Sequence, residues 1–431
     1  MPRPLRVLLD VTVFGLTQEN LHIPHARAGI YRMVEQTVRT LGSTPGVAVT
    51  LCSMYKPDTT AAHVAAHPDA DRMTFTASRR RRLATRLQAR AAAEYRRAGA
   101  YSLRTVSTRA ANVLVGVASR ALDARFGGVG LGALARADVF HSPVYALPPR
   151  GGRLPGVRYV LTIHDLIAFI HPEFSWSGAP EWLREIVDSI GPDDHVLTVS
   201  ESTRQDLLAA RPSIAPERVR VSHLAADGSK FYRVADADRL AAVRARYGIP
   251  DAPYVLSVGT LEPRKNIAHL IRSFAALVRS ERLDDLHLVL TGDRGWKFDA
   301  IFAEAGRLDG LEDRIVFTGY VDDADLAPLY SGALVFAFPS LYEGFGLPPL
   351  EAMQCGAPVI ASNTSSMPEV VGDAGILVDP RDSDALAQAM LQVYRDGAMR
   401  DDLARRSAER AATFTWARYA DRVIATYRDA R

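Results

Sequence analysis

The sequence has few cysteines and few lysines. Its two cysteines, Cys52 and Cys355, are too few for a disulfide framework and do not have the spacing of a metal site. We therefore expect two buried thiols in a reducing compartment. Lysine occurs only four times among the 52 basic residues, so arginine carries nearly all of the positive charge. The formal net charge is +3, and we expect no nucleic-acid partner.

Long hydrophobic runs are also absent. Neither end of the sequence shows the basic-then-apolar pattern of a signal peptide, and no run approaches the roughly 18 to 20 apolar residues of a membrane span. We therefore expect a cytoplasmic protein. At 431 residues with 48% hydrophobic composition, the chain is long enough for two or three domains with buried cores.

The densest group of functional signals lies between residues 338 and 369. Apolar runs at 333–340 and 358–362 are typical of buried parallel strands, and a turn rich in Gly and Pro leads from the first run into a short helix. This places Glu343 on the loop and Glu351 on the helix. Open α/β sheets hold ligands in such loops, and helix N-termini favour anions. The segment therefore predicts a ligand site.

A second turn of this kind follows the predicted strand at 254–260. There the segment EPRKN leads into an amphipathic helix, so that Arg264 and Lys265 lie beside a helix N-terminus. Two cations at such a turn favour a bound anion.

Two more candidates lie in the first half of the chain. His164 and Asp165 end a predicted strand, a position that serves function in such folds, although a single histidine there is often a structural residue. Gly29 begins a helix that carries Ile30, Val34 and other apolar residues on one face. Gly29 is either part of the cleft or an ordinary helix cap.

The segment EGFGLPPLE, in which seven residues separate Glu343 from Glu351, and the downstream GAPVIASNTSSMPEVVGDAGILVDP resemble the donor site of family 4 retaining glycosyltransferases, the glycosyl transferases group 1. GTLEPRKN and FPSLYEGFGLPPLEAM are similar to segments of bacterial mannosyl and rhamnosyl transferases of surface polysaccharide synthesis. The resemblance implies an α/β protein with the GT-B fold, in which two Rossmann-like doubly wound domains face a cleft. It also implies that the last helix returns to the first domain.

The resemblance implies roles for individual residues. Glu343 would bind the hydroxyls of the donor sugar, His164 would reach across the cleft toward that sugar, and Lys265 would hold the diphosphate, so these three are the catalytic candidates. Thr260 stands where many members carry a phosphate-binding arginine, and we infer that Arg264 replaces it. The donor-binding candidates are Arg264, Lys265, Glu343, Gly344, Phe345, Gly346, Leu347, Glu351, Tyr320, Val321, Gly259 and Thr260, and Gly29 and Asp165 are candidates for the acceptor side of the cleft.

The predicted boundaries place the acceptor-side domain at 1–226, with a helical arginine-rich insertion at about 56–137. The nucleotide-sugar domain would span 227–412, and the final helix 413–431. The expected reaction moves a hexose from a nucleotide diphosphate sugar, GDP-mannose first and dTDP-rhamnose second, to a glycan or lipid-linked acceptor. We expect no cofactor and no metal, because the two DAD segments at 236–238 and 323–325 lie in predicted helix starts.

Three other functions remain open at this point. A nucleotide-sugar epimerase or a phosphorylase on the same architecture would differ in its products. A glycosidase also uses paired carboxylates, but Glu343 and Glu351 lie in one loop and helix unit, and the cations at 264 and 265 would be unexplained. A protein that only binds sugar nucleotides is expected to have lost Glu343 or Lys265, and both are present.

Between Arg79 and Arg136 the sequence contains thirteen arginines and only two acidic residues. Such a run is either a solvated face or a surface that rests on an anionic membrane. The second interpretation suits a lipid-linked acceptor and predicts a protein that associates peripherally with the inner face of the membrane.

Overall fold

The computed structural model describes residues 3–19, 29–54, 57–67, 73–76, 129–175, 177–295, 297–308 and 310–429. These residues form two β-sheets, one after the other along the chain. The strands of the first sheet are β1 (Leu5–Asp10), β2 (Val47–Cys52), β3 (Thr74–Phe75), β4 (Val139–Ser142), β5 (Arg158–Ile163), β6 (His195–Thr198) and β7 (Val219–Val221). The strands of the second sheet are β8 (Tyr254–Val258), β9 (His287–Thr291), β10 (Ile315–Gly319), β11 (Val335–Phe338), β12 (Val359–Ser362) and β13 (Ile376–Val378).

Helices connect the strands. Those of the first part of the chain are α1 (Thr12–Glu19), α2 (Gly29–Ser43), α3 (Pro57–Ala66), α4 (Leu131–Leu134), α5 (Ile167–Ile170), α6 (Ala179–Asp188) and α7 (Glu201–Ala210). The later ones are α8 (Ala237–Arg246), α9 (Ile267–Glu281), α10 (Asp299–Ala305), α11 (Asp323–Gly332), α12 (Leu347–Gln354), α13 (Met367–Val371), α14 (Ser383–Arg395), α15 (Gly397–Ala411) and α16 (Trp416–Asp429).

Both sheets are parallel throughout the described residues. The strand order is β3-β2-β1-β4-β5-β6-β7 in the first sheet and β10-β9-β8-β11-β12-β13 in the second. The order reverses between β1 and β4, and again between β8 and β11. Ligands bind at the carboxyl ends of strands at such points. The predicted α/β class, with two Rossmann-like domains, is confirmed.

The strands are buried because they are apolar on both faces. Every residue of β4, β6, β11 and β12 is buried, as expected for parallel strands covered on both sides. Cys52 and Cys355 are both free and buried, in agreement with the prediction. On α2, Val34 and Val38 are buried, but Ile30 in the first turn of the helix is 38% exposed.

The last helix, α16, returns to the first sheet. Its Tyr419 hydroxyl lies 2.9 Å from the hydroxyl of Thr37 on α2. Its Tyr427 hydroxyl lies 2.7 Å from Nδ1 of His141 on β4, and Arg158 on β5 donates a 2.6 Å hydrogen bond to the Tyr427 carbonyl. A segment that follows the second sheet in sequence is thereby fixed to the first domain.

Within the described ranges, no helix is long and apolar enough to cross a membrane. Most of the arginine-rich stretch at 79–136 lies outside those ranges, which resume at residue 129. The predictions of helices and of membrane contact for that stretch therefore concern residues that the structure does not describe.

Candidate active site

The centre of the candidate site is a buried carboxylate between two cations. Glu343 lies in the loop between β11 and α12, and Arg264 and Lys265 lie in a short 3₁₀ turn after β8. Because β8 and β11 are neighbouring parallel strands, both loops emerge at the same edge of the sheet. Lys265 Nζ is 2.6 Å from Glu343 Oε1, and Arg264 Nη1 is 2.6 Å from Glu343 Oε2. The sequence-predicted residues are thus in direct contact.

The turn that carries the cations is held in place by the loop beside it. Asn266 adopts a left-handed conformation with φ 59°, and its side-chain amide donates to the carbonyls of Pro339 and Pro380. Arg264 Nη1 also donates to the Tyr342 carbonyl at 2.8 Å. The remaining terminal nitrogen of Arg264 lies 2.6 Å from Glu262 Oε1. Both terminal nitrogens of this guanidinium are therefore engaged.

The electrostatics of the cluster follow from its burial. Burial alone would raise the pKa of Glu343, but Arg264 and Lys265 outweigh it and lower that pKa to about 2. Burial, together with the neighbouring Arg264, lowers the pKa of Lys265, although Glu343 opposes the change. Glu343 is consequently a permanent carboxylate at neutral pH, and a carboxylate can only accept hydrogen bonds.

The loop after Glu343 depends on two glycines. Gly346 precedes α12 with φ 108°, a conformation that favours glycine. At Gly344 a Cβ atom would lie only 2.2 Å from the His164 carbonyl oxygen, because this loop contacts the first domain. The Ser366 hydroxyl fixes this loop through a shared hydrogen bond to the carbonyls of Glu343 and Phe345. The N-terminus of α12 is therefore presented to the space between the domains.

Glu351 on α12 is also buried, but it is paired across the domain boundary. Its Oε1 is 3.3 Å from Arg32 Nη1 on α2, and Tyr330 donates to its Oε2 at 3.2 Å. Arg32 also pairs with Asp323 at 2.6 Å, and Lys230 pairs with the same carboxylate at 3.1 Å. Burial raises the pKa of Glu351, and Arg32 opposes this rise. The nearby Tyr320 ring is 41% exposed.

On the first domain, His164 and Asp165 follow β5 directly below the donor loop. His164 Nε2 is 2.8 Å from the Pro143 carbonyl, which makes Nε2 the protonated nitrogen and leaves Nδ1 as an acceptor. Burial lowers the pKa of His164, so the ring is neutral at neutral pH. Asp165 Oδ1 accepts from the Ile167 amide at 3.0 Å. His164 thus lies against Gly344 without adding charge.

The remaining predicted residues lie around the same edge. Gly29 begins α2, and a Cβ atom there would be 3.4 Å from Leu347 Cδ1, so the starts of α2 and α12 face each other. Gly259, with φ 151°, follows β8 next to the Lys265 side chain. Thr260 follows it and is exposed, whereas Val321 after β10 is buried.

Several contacts between the domains were not predicted from the sequence, and three of them lie close to the candidate site. Arg32 to Glu351 is the first. In the second, Ser200 at the start of α7 donates to the Gly344 carbonyl at 2.6 Å. In the third, both carboxylate oxygens of Glu369 accept from the Glu201 amide, at 2.9 and 2.8 Å. Partners so distant in sequence leave no local pattern. Together they join the two domains across the cleft.

The acidic DAD segments are engaged in other roles. Asp236 caps α8 by accepting from the amides of Asp238 and Arg239. Asp323 pairs with Arg32, and Asp325 accepts from Arg246 and Tyr247. In the described part of the chain, no group of three or more His, Cys, Asp or Glu side chains has an arrangement that could hold a metal ion.

Comparisons with known proteins bear on this geometry. A family model described as "Glycosyl transferases group 1" matches residues 241–410, a range that contains Arg264, Lys265, Glu343 and Glu351. The chain is 35% identical over 293 residues to the O-antigen chain mannosyltransferase B of Escherichia coli, which covers 67% of this chain and 74% of that protein. It is 31% identical over 289 residues to the serotype-specific mannosyltransferase WbdA of Escherichia coli, covering 66% of this chain and 35% of that protein. The chain therefore spans about a third of the length of WbdA.

Solved structures show the same fold at low identity. Sucrose-phosphate synthase from Thermosynechococcus elongatus superimposes with a TM-score of 0.63 at 22% identity, over 99% of each chain. WaaG, a glycosyltransferase involved in lipopolysaccharide biosynthesis, superimposes with a TM-score of 0.61 at 15% identity, over 98% of each chain. These likenesses show the GT-B fold.

Proposed function

Because the chain belongs to the glycosyl transferases group 1 family, we propose that it transfers a mannosyl residue with retention from GDP-mannose to a glycan or lipid-linked glycan. The observation that carries the chemistry is the buried Glu343 held between Lys265 and Arg264 at the carboxyl edge of the second sheet. The choice of mannose rests on the two mannosyltransferases to which the chain is similar. dTDP-rhamnose is the second choice of donor.

In this proposal the cations stabilise the leaving group. The formal charges of the cluster sum to zero, because two cations, Arg264 and Lys265, are paired with two carboxylates, Glu343 and Glu262. A bound donor would present its phosphate oxygens to Lys265 and its sugar hydroxyls to Glu343, and the diphosphate would gain charge as the glycosidic bond breaks. Fixed cations and the N-terminus of α12 are then worth more in the transition state than in the ground state.

Glu343 is a poor nucleophile in this arrangement. Two cations lower its pKa to about 2, and a weakly basic carboxylate does not readily attack an anomeric carbon. The proposal is therefore that the acceptor hydroxyl attacks on the face that the diphosphate leaves, and that a departing phosphate oxygen takes the acceptor proton. Neutral His164 would accept a hydrogen bond from the donor sugar through Nδ1. The contact between the Ser200 hydroxyl and the Gly344 carbonyl would close the cleft beside the bound sugar and exclude water.

Neither a cofactor nor a metal ion is needed in this scheme, because Lys265 and Arg264 supply positive charge at the place where the leaving group develops negative charge. The proposed location is the cytoplasm, where the arginine-rich stretch at 79–136 would contact an anionic membrane. Sedimentation with anionic and neutral vesicles tests the proposed membrane contact. Equal, negligible binding to both vesicle types would contradict it.

The test of donor assignment is a panel of nucleotide sugars assayed by thermal stabilisation. GDP-mannose is expected to stabilise the protein most, by about 2.7 kcal/mol at a concentration of 100 Kd, and dTDP-rhamnose and UDP-glucose less. The Lys265→Met variant is the matched control, because it should lose most of this stabilisation while keeping the fold. Stabilisation by dTDP-rhamnose alone would transfer the assignment to a rhamnosyl donor, and stabilisation by none of them would contradict the proposal.

A further inference from the structure

A cavity next to the donor site is lined by residues of both domains. It has a volume of about 310 Å³ and lies between the carboxyl ends of β4 and β5 and the helices α5 and α6. Its polar lining includes Asp165, Glu262 and Arg264, and its apolar lining includes Ile30, Phe174 and Trp182. The indole of Trp182 is 39% exposed, and Ile30 is 38% exposed. Among the residues assigned to the donor, Arg264 and His164 also line this cavity.

We propose that this cavity binds the terminal ring of an uncharged sugar acceptor. Trp182 would stack on the face of that ring, and the Asp165 carboxylate would accept hydrogen bonds from the ring hydroxyls. The proposal rests on the proposed function, which supplies the need for an acceptor. Trp182 is a specificity-determining residue in this view.

The position of the cavity fits an acceptor. Arg264 lines it, and Arg264 Nη1 is 2.6 Å from Oε2 of Glu343, the carboxylate assigned to the donor sugar. A sugar hydroxyl at the Arg264 end would therefore lie beside the donor sugar. A volume of about 310 Å³ is at the lower end of the roughly 300–1,000 Å³ of ligand pockets, which suits one or two rings.

The charges of the cavity argue against a phosphorylated acceptor. Among the described residues that line it, Arg264 is the one cation, and its terminal nitrogens already bind Glu262, Glu343 and the Tyr342 carbonyl. Asp165 and Glu262 are anionic, and His164 is neutral because burial lowers its pKa. A phosphate group would face a lining with net negative charge, and the one cation among the described lining residues is already paired.

The remaining surface suits a sugar ring. Pyranose rings carry hydroxyls at their edges and C–H groups on their faces, so they need one apolar wall and one polar wall. An exposed indole offers a large rigid face at low entropic cost, and Asp165 adds a carboxylate to the same lining. Trp182 lies on α6, which begins after Gly178 in a left-handed conformation, and its side chain lines the cavity.

The experiment is saturation-transfer NMR with two probes, methyl α-D-mannopyranoside and mannose 6-phosphate, each with and without GDP. The wild type is expected to bind the neutral glycoside and to bind the phosphorylated sugar more weakly. Trp182→Ala and Asp165→Asn should each weaken glycoside binding about tenfold, Trp182→Phe less, and all three should bind GDP as the wild type does. Ile170→Ala, a 41% exposed apolar residue on α5 outside the cavity, is the control and should bind both ligands normally.

Binding of neither sugar, preference for mannose 6-phosphate, or undiminished glycoside binding by Trp182→Ala and Asp165→Asn would each overturn the inference. Failure of the wild type to bind GDP is a different outcome. It would contradict the donor assignment, while the titrations without GDP would still decide the acceptor assignment.

Discussion

Replacing Glu343 by glutamine removes one carboxylate charge and leaves two buried cations facing an amide. The cost can be calculated in two ways. A carboxyl group whose pKa falls on folding from 4.5 to about 2 stabilises the folded state by about 3 kcal/mol, at about 1.36 kcal/mol per pKa unit. Breaking a buried ion pair by removing one partner typically costs about 3–5 kcal/mol. Because Glu343 is only 8% exposed, solvent screening does not reduce these values much.

The assay is differential scanning calorimetry at pH 7 and low salt. For a domain of this size, about 3 kcal/mol corresponds to a drop of roughly 6–12 °C in the melting temperature of the second domain. Glu409→Gln is the control, since Glu409 pairs with Arg405 on an exposed helix face and should shift the melting temperature by at most about 2 °C. A drop below about 2 °C for Glu343→Gln would refute the reasoning.

The pH dependence has a definite sign. Because the folded-state pKa of Glu343 lies below its ordinary value, its stabilisation is complete above about pH 4.5 and is lost as the pH falls toward about 2. The Gln variant should lack this component of acid sensitivity. GDP should stabilise the variant more than the wild type, because Lys265 and Arg264 no longer have a competing anion, while sugar transfer should be lost. Loss of GDP binding by the variant would contradict this account of the cations.

Three further predictions concern the same site. Lys265→Met should lower kcat/KM for the donor by about 10- to 150-fold, because a charge-assisted contact worth about 1.5–3 kcal/mol is lost; steady-state kinetics at varied donor concentration measures this, and wild-type values would place the diphosphate elsewhere. Gly344→Ala should reduce transfer, because the new methyl group would lie 2.2 Å from the His164 carbonyl oxygen and hold the cleft open. Gly306→Ala, where the nearest atom is at 3.5 Å, should be active, and equal activity of the two variants would remove the role of closure. Treatment with EDTA should leave the rate unchanged, and inhibition reversed by Mg²⁺ or Mn²⁺ would show that a metal takes part.

The fold was predictable because its strands are continuous in sequence and strongly apolar. The runs around β11 and β12 lie within a residue or two of their predicted places, and the helix after Gly346 begins where the prolines indicated. Arg264, Lys265 and Glu343 meet because β8 and β11 are neighbours in a parallel sheet. The alternation of strands and helices implies a parallel sheet, whereas the pairing of β8 with β11 is a feature of the structure.

The contacts between the domains could not be predicted in the same way. Arg32 and Glu351 are 319 residues apart in sequence, and Glu201 and Glu369 are 168 residues apart. The sequence around an arginine on an amphipathic helix does not show whether its side chain pairs with a residue across a cleft or faces solvent. Pairings of this kind depend on how the domains close, which only the assembled structure shows.

The cavity beside Trp182 illustrates a second limit. Its lining comes from α2, the segment after β4, β5, α5, α6 and the turn after β8, so no single segment contains it. Ile30 was grouped with the apolar face of α2, yet it is exposed and lines this cavity. Helical periodicity indicates which residues share a face of a helix, but it does not indicate which residues on that face are buried.

The most direct test of the central claim is the anomeric configuration of the product. The protein is incubated with GDP-α-D-mannose labelled with ¹³C at the anomeric carbon and with methyl α-D-mannopyranoside or short mannose oligosaccharides, and the one-bond carbon–proton coupling of the new linkage is measured by NMR. The account predicts an α-linked mannosyl product in the wild type and none in Glu343→Gln. A β-linked product, release of free mannose as the main reaction, or full activity of Glu343→Gln would contradict it.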